Sequence, residues 1–162
     1  MAVSGVVGTK RDGILTLKDG AASTFQCTLE VGDFTFEEPK ADRVVVRDRG
    51  AISGLRAGDD AVGSCSFSVH FTEFTNGSAG TLFDWIYRRG SMSAGTSVGG
   101  TGYEQFLLDL DFECDKTTLG DAAIAKVTLG KVLLFASFAE GDLDSVAVTG
   151  EIYGSYAYTG IA

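Results

Sequence analysis

Several residue types on which common activities depend are scarce in this sequence. Its 162 residues contain one Pro, one His, one Trp and three Cys. Because Pro39 is alone, a proline-rich linker is excluded, and because His70 is alone, most two-histidine metal sites are excluded. The cysteines, Cys27, Cys65 and Cys114, are odd in number and far apart, so we expect reduced, buried thiols and folding in a reducing cytoplasm.

Long hydrophobic runs are also missing. The longest one, Val132–Ala139, is interrupted by Ser137, whereas a membrane-spanning helix needs about 20 apolar residues. At the N-terminus, Lys10 and Arg11 follow a short apolar stretch, whereas in a secretory signal the basic residues come first. We therefore expect neither a membrane span nor a secretory leader.

Basic residues are also scarce relative to acidic ones. The chain has 13 Lys and Arg against 22 Asp and Glu, a net charge of −9, which argues against a protein that grips nucleic acid through its phosphates. The deficit is uneven, since residues 1–90 hold 10 basic and 12 acidic residues while residues 91–162 hold 3 and 10. With 44% hydrophobic and 22% charged residues, the sequence is typical of one globular domain spanning residues 1–162.

Motifs of catalysis and cofactor binding are not found. His70 alternates with apolar residues, as a half-exposed strand histidine does, and has no candidate nucleophile beside it. The stretch Gly95–Gly102 lacks the Lys and Ser or Thr of a phosphate loop, and Gly5–Lys10 has the wrong spacing for one. The chain contains no Cys-x-x-Cys and no His-Glu-x-x-His pattern. We therefore predict a protein that is not an enzyme and that uses no metal or cofactor.

What the sequence has in abundance is alternation of apolar and polar side chains, the pattern of β-strands. A phase slip at Gly32 indicates a bulge or tight turn. The segment Ile124–Phe138 reads as one long strand, or two strands broken near Gly130, buried on both faces. Together with Gly13–Lys18 and Val44–Arg47, these patterns predict a mainly β fold: a β-sandwich or flattened barrel of about eight antiparallel strands with one flanking α-helix.

The flanking helix is predicted over residues 79–89, where apolar side chains recur at helical spacing. Thr81 and Asp84 have the spacing of a capping box, in which a hydroxyl and an acid satisfy free amides of the first turn. Gly90 stands where a glycine commonly ends a helix. Arg88 and Arg89 then fall in the last turn, which favours cations.

Two segments do not fit a compact sandwich. Residues 90–102 are rich in Gly and Ser and predict a flexible loop. Residues 37–63 predict an extended loop or hairpin, in which four Arg and four Asp occur. One interpretation is a solvated loop. The other is an arm that contacts another subunit, since mixed charge sets register and partner choice. The charged arm residues are Asp42, Arg43, Arg47, Asp48, Arg49, Arg56, Asp59 and Asp60.

Four acidic residues occupy every second position of one predicted strand: Asp109, Asp111, Glu113 and Asp115. Since alternate side chains of a strand point the same way, they would line one face at intervals of about 6.5–7 Å. Three interpretations compete: the polar outer face of a sandwich, a calcium site, and a surface that must not adhere to anions. Calcium needs six to eight converging oxygens, which a straight strand spreads apart.

The order of segments along the chain points to a family. An early KRDGILTLKDG hairpin precedes LEVGDFTFEEP and the charged stretch VVVRDRGAISGLRAGDD; SCSFSVHFTEF, the helix AGTLFDWIYRRG and a late pair of long strands follow. In this arrangement the chain resembles the major tail tube proteins of long-tailed bacteriophages and of tails like those of gene transfer agents. The resemblance covers essentially the whole sequence.

The resemblance implies a structural subunit that assembles into hexameric rings, stacked into a hollow tube for passage of the genome. It implies a component of the virion tail, made in the host cytoplasm, with no membrane partner. Its partners would be further copies of itself, the tape-measure protein, and the tail terminator and distal tail proteins. DNA would pass through the lumen without adhering, because an acidic wall repels phosphates.

Under this resemblance, the acidic stripe becomes the candidate lumen wall, and the charged arm becomes the candidate contact between subunits and between rings. Two other functions stay open at this point. A calcium-assisted β-sandwich binding module would show a melting temperature that rises with calcium. A ring protein of a contractile, secretion-type tube shares the same architecture.

Overall fold

A computed structural model describes residues 13–27, 29, 34–39, 42–70, 80–114, 124–138 and 145–160. The phase slip predicted at Gly32 and the last residue of the acidic stripe, Asp115, lie outside these ranges. The strands are β1 (Gly13–Lys18), β2 (Thr24–Cys27), β3 (Thr35–Glu37), β4 (Arg43–Asp48), β5 (Ala51–Ala57), β6 (Gly63–His70), β7 (Leu108–Cys114), β8 (Ala125–Ser137), β9 (Ser145–Ile152) and β10 (Tyr156–Thr159). One α-helix, α1 (Leu82–Tyr87), and a 3₁₀ helix (Gly90–Met92) complete them.

Eight of the strands form one antiparallel sheet in the order β2-β1-β7-β8-β9-β6-β3, with β10 paired to β8. The other two, β4 and β5, form a hairpin of their own. The predicted mainly β fold with one flanking helix is therefore confirmed. The described residues contain ten strands rather than about eight, because the arm supplies two and the last segment divides into β9 and β10.

The large sheet curls until its two ends approach each other. Leu29, two residues beyond the edge strand β2, forms an isolated bridge with Val69 of β6. Next to the other edge strand, Phe34 stacks on Phe112 of β7 with ring centroids 4.6 Å apart. The result is a flattened, curled sheet around one core, and no closed barrel forms among the residues that the structure describes.

The core lies inside this curl and consists of inward-facing side chains of the large sheet, together with buried side chains of α1 and the 3₁₀ helix. Its fully buried side chains include Leu15, Leu17, Leu110, Leu129, Val132 and Val148. Cys27 and Cys65 are buried free thiols, and burial raises the pKa of each to about 12. Cys114 is only partly buried, so the prediction of three buried cysteines is correct for two.

The longest strand, β8, is continuous over 13 residues. The expectation that it is buried on both faces is wrong, because its second face is half-buried or exposed and Phe135 is open to solvent. A bulge interrupts the pairing with β7, where Asp109 lies opposite both Gly130 and Lys131. Lys131 adopts a left-handed φ of 54°. Its backbone N–H donates to Asp109 Oδ1 at 2.9 Å, which supports the irregular backbone.

The predicted capping box is present at the start of α1. Asp84 N–H donates to Thr81 Oγ1 at 3.3 Å, and Thr81 N–H donates to Asp84 Oδ2 at 3.0 Å. The helix is shorter than predicted, because Arg88 takes a left-handed φ of 52° and ends it. Arg88 and Arg89 therefore follow the helix, and Gly90 begins the 3₁₀ helix instead of ending α1. Among the described residues, no helix has the length and apolar character needed to cross a membrane.

Replacing Thr81 with alanine should lower the free energy of unfolding by about 1 kcal/mol, the usual cost of losing a helix N-cap. Urea denaturation followed by circular dichroism would measure the loss. Thr101→Ala, a change at an exposed loop position, should leave the urea midpoint nearly unchanged. Equal midpoints for the two variants would contradict a stabilising role of the capping box.

The Gly- and Ser-rich segment 90–102 is held against neighbouring elements by hydrogen bonds, which its composition does not predict. The buried carboxylate of Asp19 accepts hydrogen bonds from Ser23 N–H at 2.7 Å and from Thr96 N–H at 3.4 Å. Ser97 Oγ accepts from the N–H of Leu107 at 3.0 Å. These contacts attach the middle of the segment to the β1–β2 turn and to the start of β7.

Candidate functional site

The predicted arm is a two-stranded hairpin that extends from the curled sheet. Arg49 and Gly50, with φ of 49° and 87°, connect β4 to β5. Two successive positive φ values are typical of the type I′ turn, whose twist matches that of paired strands. At the base of the hairpin, Gly58 N–H donates to the carbonyl of Asp42 at 2.5 Å. Both arm strands pack chiefly on each other and not on another described element.

All eight charged residues predicted for the arm are exposed. Arg47 makes one long hydrogen bond, from Nη1 to the carbonyl of Gly50 at 3.5 Å. Within the described part of the chain, no arginine of the arm forms an ion pair with an aspartate of the arm. The four positive and four negative charges are therefore available to another surface, which suits the contact interpretation of this segment.

The arm also exposes large apolar side chains, which charge patterning did not predict. The exposed fractions are 53% for Val44, 42% for Val45, 67% for Ile52 and 61% for Leu55. A lone two-stranded hairpin is marginally stable in water at best, and clusters of exposed apolar residues mark interaction sites. In the sequence, the run Val44–Val46 indicated an apolar strand in the arm. Periodicity alone, however, does not distinguish a strand buried in the core from an exposed strand that contacts a partner.

A cleft of about 450 Å³ lies at the root of the arm. It is lined by both ends of the arm segment and by the bend between β9 and β10: Glu38, Pro39, Asp60, Ala61, Val62, Ile152, Tyr153, Gly154 and Tyr156. Its ionisable carboxylates, Glu38 and Asp60, are both exposed. The cleft therefore presents negative charge beside apolar and aromatic surface.

Tyrosine hydroxyls bind carboxylates around this cleft. Tyr158 donates to Glu38 Oε2 at 2.7 Å, and this hydrogen bond raises the pKa of Tyr158 to about 12. Tyr153 donates to Glu151 Oε2 at 2.5 Å, which raises the pKa of Tyr153 in the same way. Both phenols stay protonated at neutral pH and keep donating to these carboxylates, which fixes the orientation of the two side-chain pairs.

The acidic stripe runs along β7, and its central member is buried. Asp111 is only 2% exposed. Its Oδ2 forms ion pairs with Lys18 of β1 and with Lys126 of β8, the latter at 2.7 Å, and its Oδ1 accepts from Thr128 Oγ1 at 2.7 Å. Burial opposes ionisation of Asp111, but the hydrogen bonds from Lys126, Lys18 and Thr128 outweigh it and hold its pKa below the ordinary value.

The other described members of the stripe are more accessible. Lys126 also bridges to Glu113 at 2.9 Å, so Glu113 and Asp111 lie on one face, as alternation requires. These two contacts raise the pKa of Lys126. Asp109 is half-buried and binds the backbone of the β8 bulge. The sequence indicated the shared face but not the two lysines, which come from the strands on either side.

No group of three or more His, Cys, Asp and Glu side chains converges as a metal site in the described ranges. The stripe carboxylates are instead held by lysines and by backbone. The arm and its root cleft, in contrast, combine exposed apolar area with exposed charge.

The same fold occurs in solved structures of contractile injection systems. A chain from the sheath/tube terminator of PVC, an extracellular contractile injection system, in the extended state matches with a TM-score of 0.62 and 13% identity, covering 97% of this chain and 99% of that one. A chain from the PVC sheath-tube complex matches with 0.62 and 12% identity, covering 98% and 95%. A chain from the anti-feeding prophage cap, the AFP tube terminating cap, matches with 0.61 and 14% identity, covering 98% and 93%.

No family model matches the sequence, and no curated protein matches it. At identities of 12–14%, the structural matches establish a shared fold over nearly the whole chain. The matching chains come from a sheath/tube terminator, a sheath-tube complex and a tube terminating cap, and the likeness to them is one of fold.

Proposed function

We propose that this chain is a structural subunit of a phage-tail-like tube. Copies join side by side into hexameric rings, and the rings stack into a hollow conduit. The observation that carries the proposal is the hairpin arm, which exposes apolar and charged side chains on a fold shared with tube-related chains. A closed ring contact combined with a stacking contact that does not close gives a tube of indefinite length.

The bore of the conduit is proposed to be acidic, so that a genome passes without adhering. Support comes from the concentration of negative charge in residues 91–162 and from the partly exposed Asp109 and Glu113 of β7. Lys18 and Lys126 offset part of the charge of this strand. A reconstruction of assembled tubes would locate β7, and a β7 on the outer wall would reject this part of the proposal.

A second candidate is a terminator that caps a tube instead of extending it. It is favoured by the match to tube-terminating chains, which cover nearly the whole sequence. Negative-stain microscopy of the purified protein distinguishes the two functions. A tube subunit forms long polymers at high concentration, whereas a terminator stops at single rings.

Reversing the charge of the arm arginines should abolish assembly. In the variant Arg47→Glu/Arg49→Glu/Arg56→Glu, we expect no tubes or rings by sedimentation and negative-stain microscopy, because like charges then face the acidic body of the neighbour. The exposed arm lies outside the core, so circular dichroism and the melting temperature should stay at wild-type values. Lysine in place of the same arginines preserves the charge and serves as the control. An unchanged yield of tubes from the glutamate variant would reject the role of the arm.

A further inference from the structure

The pairing register of the arm divides its apolar side chains between two opposite faces. Val45 lies opposite Leu55, so these two side chains share one face, here called face A. Val44 lies opposite Arg56 and Val46 opposite Gly54, which puts both valines on face B. The register shifts between Val46 and Arg47, and beyond this shift Ile52 lies opposite Arg47, which is out of phase with the valines of face B.

Both faces are open to solvent. On face A, the exposed fractions of Val45 and Leu55 are 42% and 61%, and on face B those of Val44 and Val46 are 53% and 37%. A hairpin that lies flat on one partner needs only one apolar face, and its other face is normally polar. Exposed β-branched and Leu side chains on both faces are typical of a strand pair that is covered on both sides.

The surface of a second copy is complementary to the arm. The arm segment 42–60 carries four Arg and four Asp and is neutral, so the remainder of the chain carries the entire net charge of −9. Two of the arginines, Arg47 and Arg49, flank the tip of the hairpin. The cleft at the arm root offers Glu38 beside exposed apolar surface from Val62. The arm of one copy therefore finds opposite charge and apolar area on the body of another.

We propose that the arm is inserted between two neighbouring copies of this chain, so that one copy covers face A and the other covers face B. The proposal rests on the proposed function of self-assembly and extends it. Each arm then joins three subunits, whereas a hairpin resting on one neighbour joins two. Because both faces are needed, loss of either one alone is enough to prevent stable assembly.

Two face-specific variants test this arrangement. Val45→Thr/Leu55→Thr makes face A polar, and Val44→Thr/Val46→Thr makes face B polar, while threonine keeps the strand propensity of the hairpin. Each variant should raise the protein concentration needed for assembly by at least about tenfold, since a polar hydroxyl replaces buried apolar area. Ser53→Thr, on the same hairpin, removes no apolar area and should assemble as wild type does. Sedimentation at a series of concentrations measures all three.

The outcomes separate this inference from the proposed function. The inference is overturned if the arginine-to-glutamate variant of the arm fails to assemble but at least one of the two face variants assembles as wild type does. The arm then lies on a single neighbour. If wild-type protein forms neither rings nor tubes, the proposed function itself fails. A photo-crosslinker placed at Leu55 on face A or at Val44 on face B in assembled protein gives a second measurement. We expect adducts on two different regions of the neighbouring copies, and one shared region would overturn the insertion.

Discussion

Replacing Gly154 with alanine is expected to lower the free energy of unfolding by about 3 kcal/mol, the upper part of the range for overpacking a well-packed site. Gly154 lies at the bend between β9 and β10 and donates its N–H to the carbonyl of Gly130 at 2.9 Å. A methyl group there would lie 2.6 Å from the carbonyl carbon of Gly130 and would also overlap the carbonyl oxygen. Because the obstructing atoms are backbone atoms, no side-chain rotation can relieve the overlap.

The matched control for this variant is Gly54→Ala in the arm. The nearest atom to a methyl group at that position is Val46 Cβ at 4.0 Å, so the added group meets no obstruction. Its urea midpoint should differ from that of wild type by an amount equivalent to less than about 0.5 kcal/mol. If Gly154→Ala and Gly54→Ala unfold at the same urea concentration, the close crossing of β8 and the β9–β10 bend does not constrain the sheet.

Replacing Asp111 with asparagine should destabilise the fold by about 2 kcal/mol at neutral pH, because removal of a buried carboxylate leaves two lysines without their counter-charge. Lys18 and Lys126 are partly exposed, and water can therefore recover part of the loss. Glu113→Gln is the matched control. Glu113 is the other carboxylate bound to Lys126, and its side chain is 39% exposed. The control should cost well under 1 kcal/mol, as is usual for surface ion pairs.

The contribution of Asp111 should depend on pH in a defined direction. Its folded-state pKa is held below the ordinary value, so the stabilisation is complete above the unfolded-state pKa of about 3.9. It is lost as the pH falls through the depressed folded-state pKa. The gap between wild type and Asp111→Asn should therefore be full at pH 7 and should close below about pH 4. A gap of constant size down to pH 2 would contradict the ionic origin of the effect.

Local features of the fold could be predicted from the sequence where neighbours along the chain determine them. The capping box of Thr81 and Asp84 and the single long strand within Ile124–Phe138 depend on short-range spacing, and both are present. The end of α1 could not be predicted, because Gly90 is a stronger local signal for helix termination than Arg88. Arg88 nevertheless takes the left-handed conformation and ends the helix.

Features that depend on tertiary contact could not be predicted in the same way. Alternation placed Asp111 on a polar face, but its burial depends on Lys18 and Lys126, which reach it from two different strands. Similarly, the charges of residues 42–60 indicated an arm, whereas the exposure of Ile52 and Leu55 became visible only when the hairpin was found apart from the core. Periodicity assigns side chains to faces, and it does not show what covers each face.

The separation of the arm from the rest of the protein has a kinetic consequence. A free subunit gains little from a rigid hairpin, because few side chains outside the hairpin pack on it and offset the loss of conformational entropy. Under the proposed assembly, the entropic cost is met when the subunit joins others, and it is largest at the first encounter, when no pre-formed acceptor exists. Elongation at an established end is easier than nucleation, so free subunits would persist in solution until a template is present.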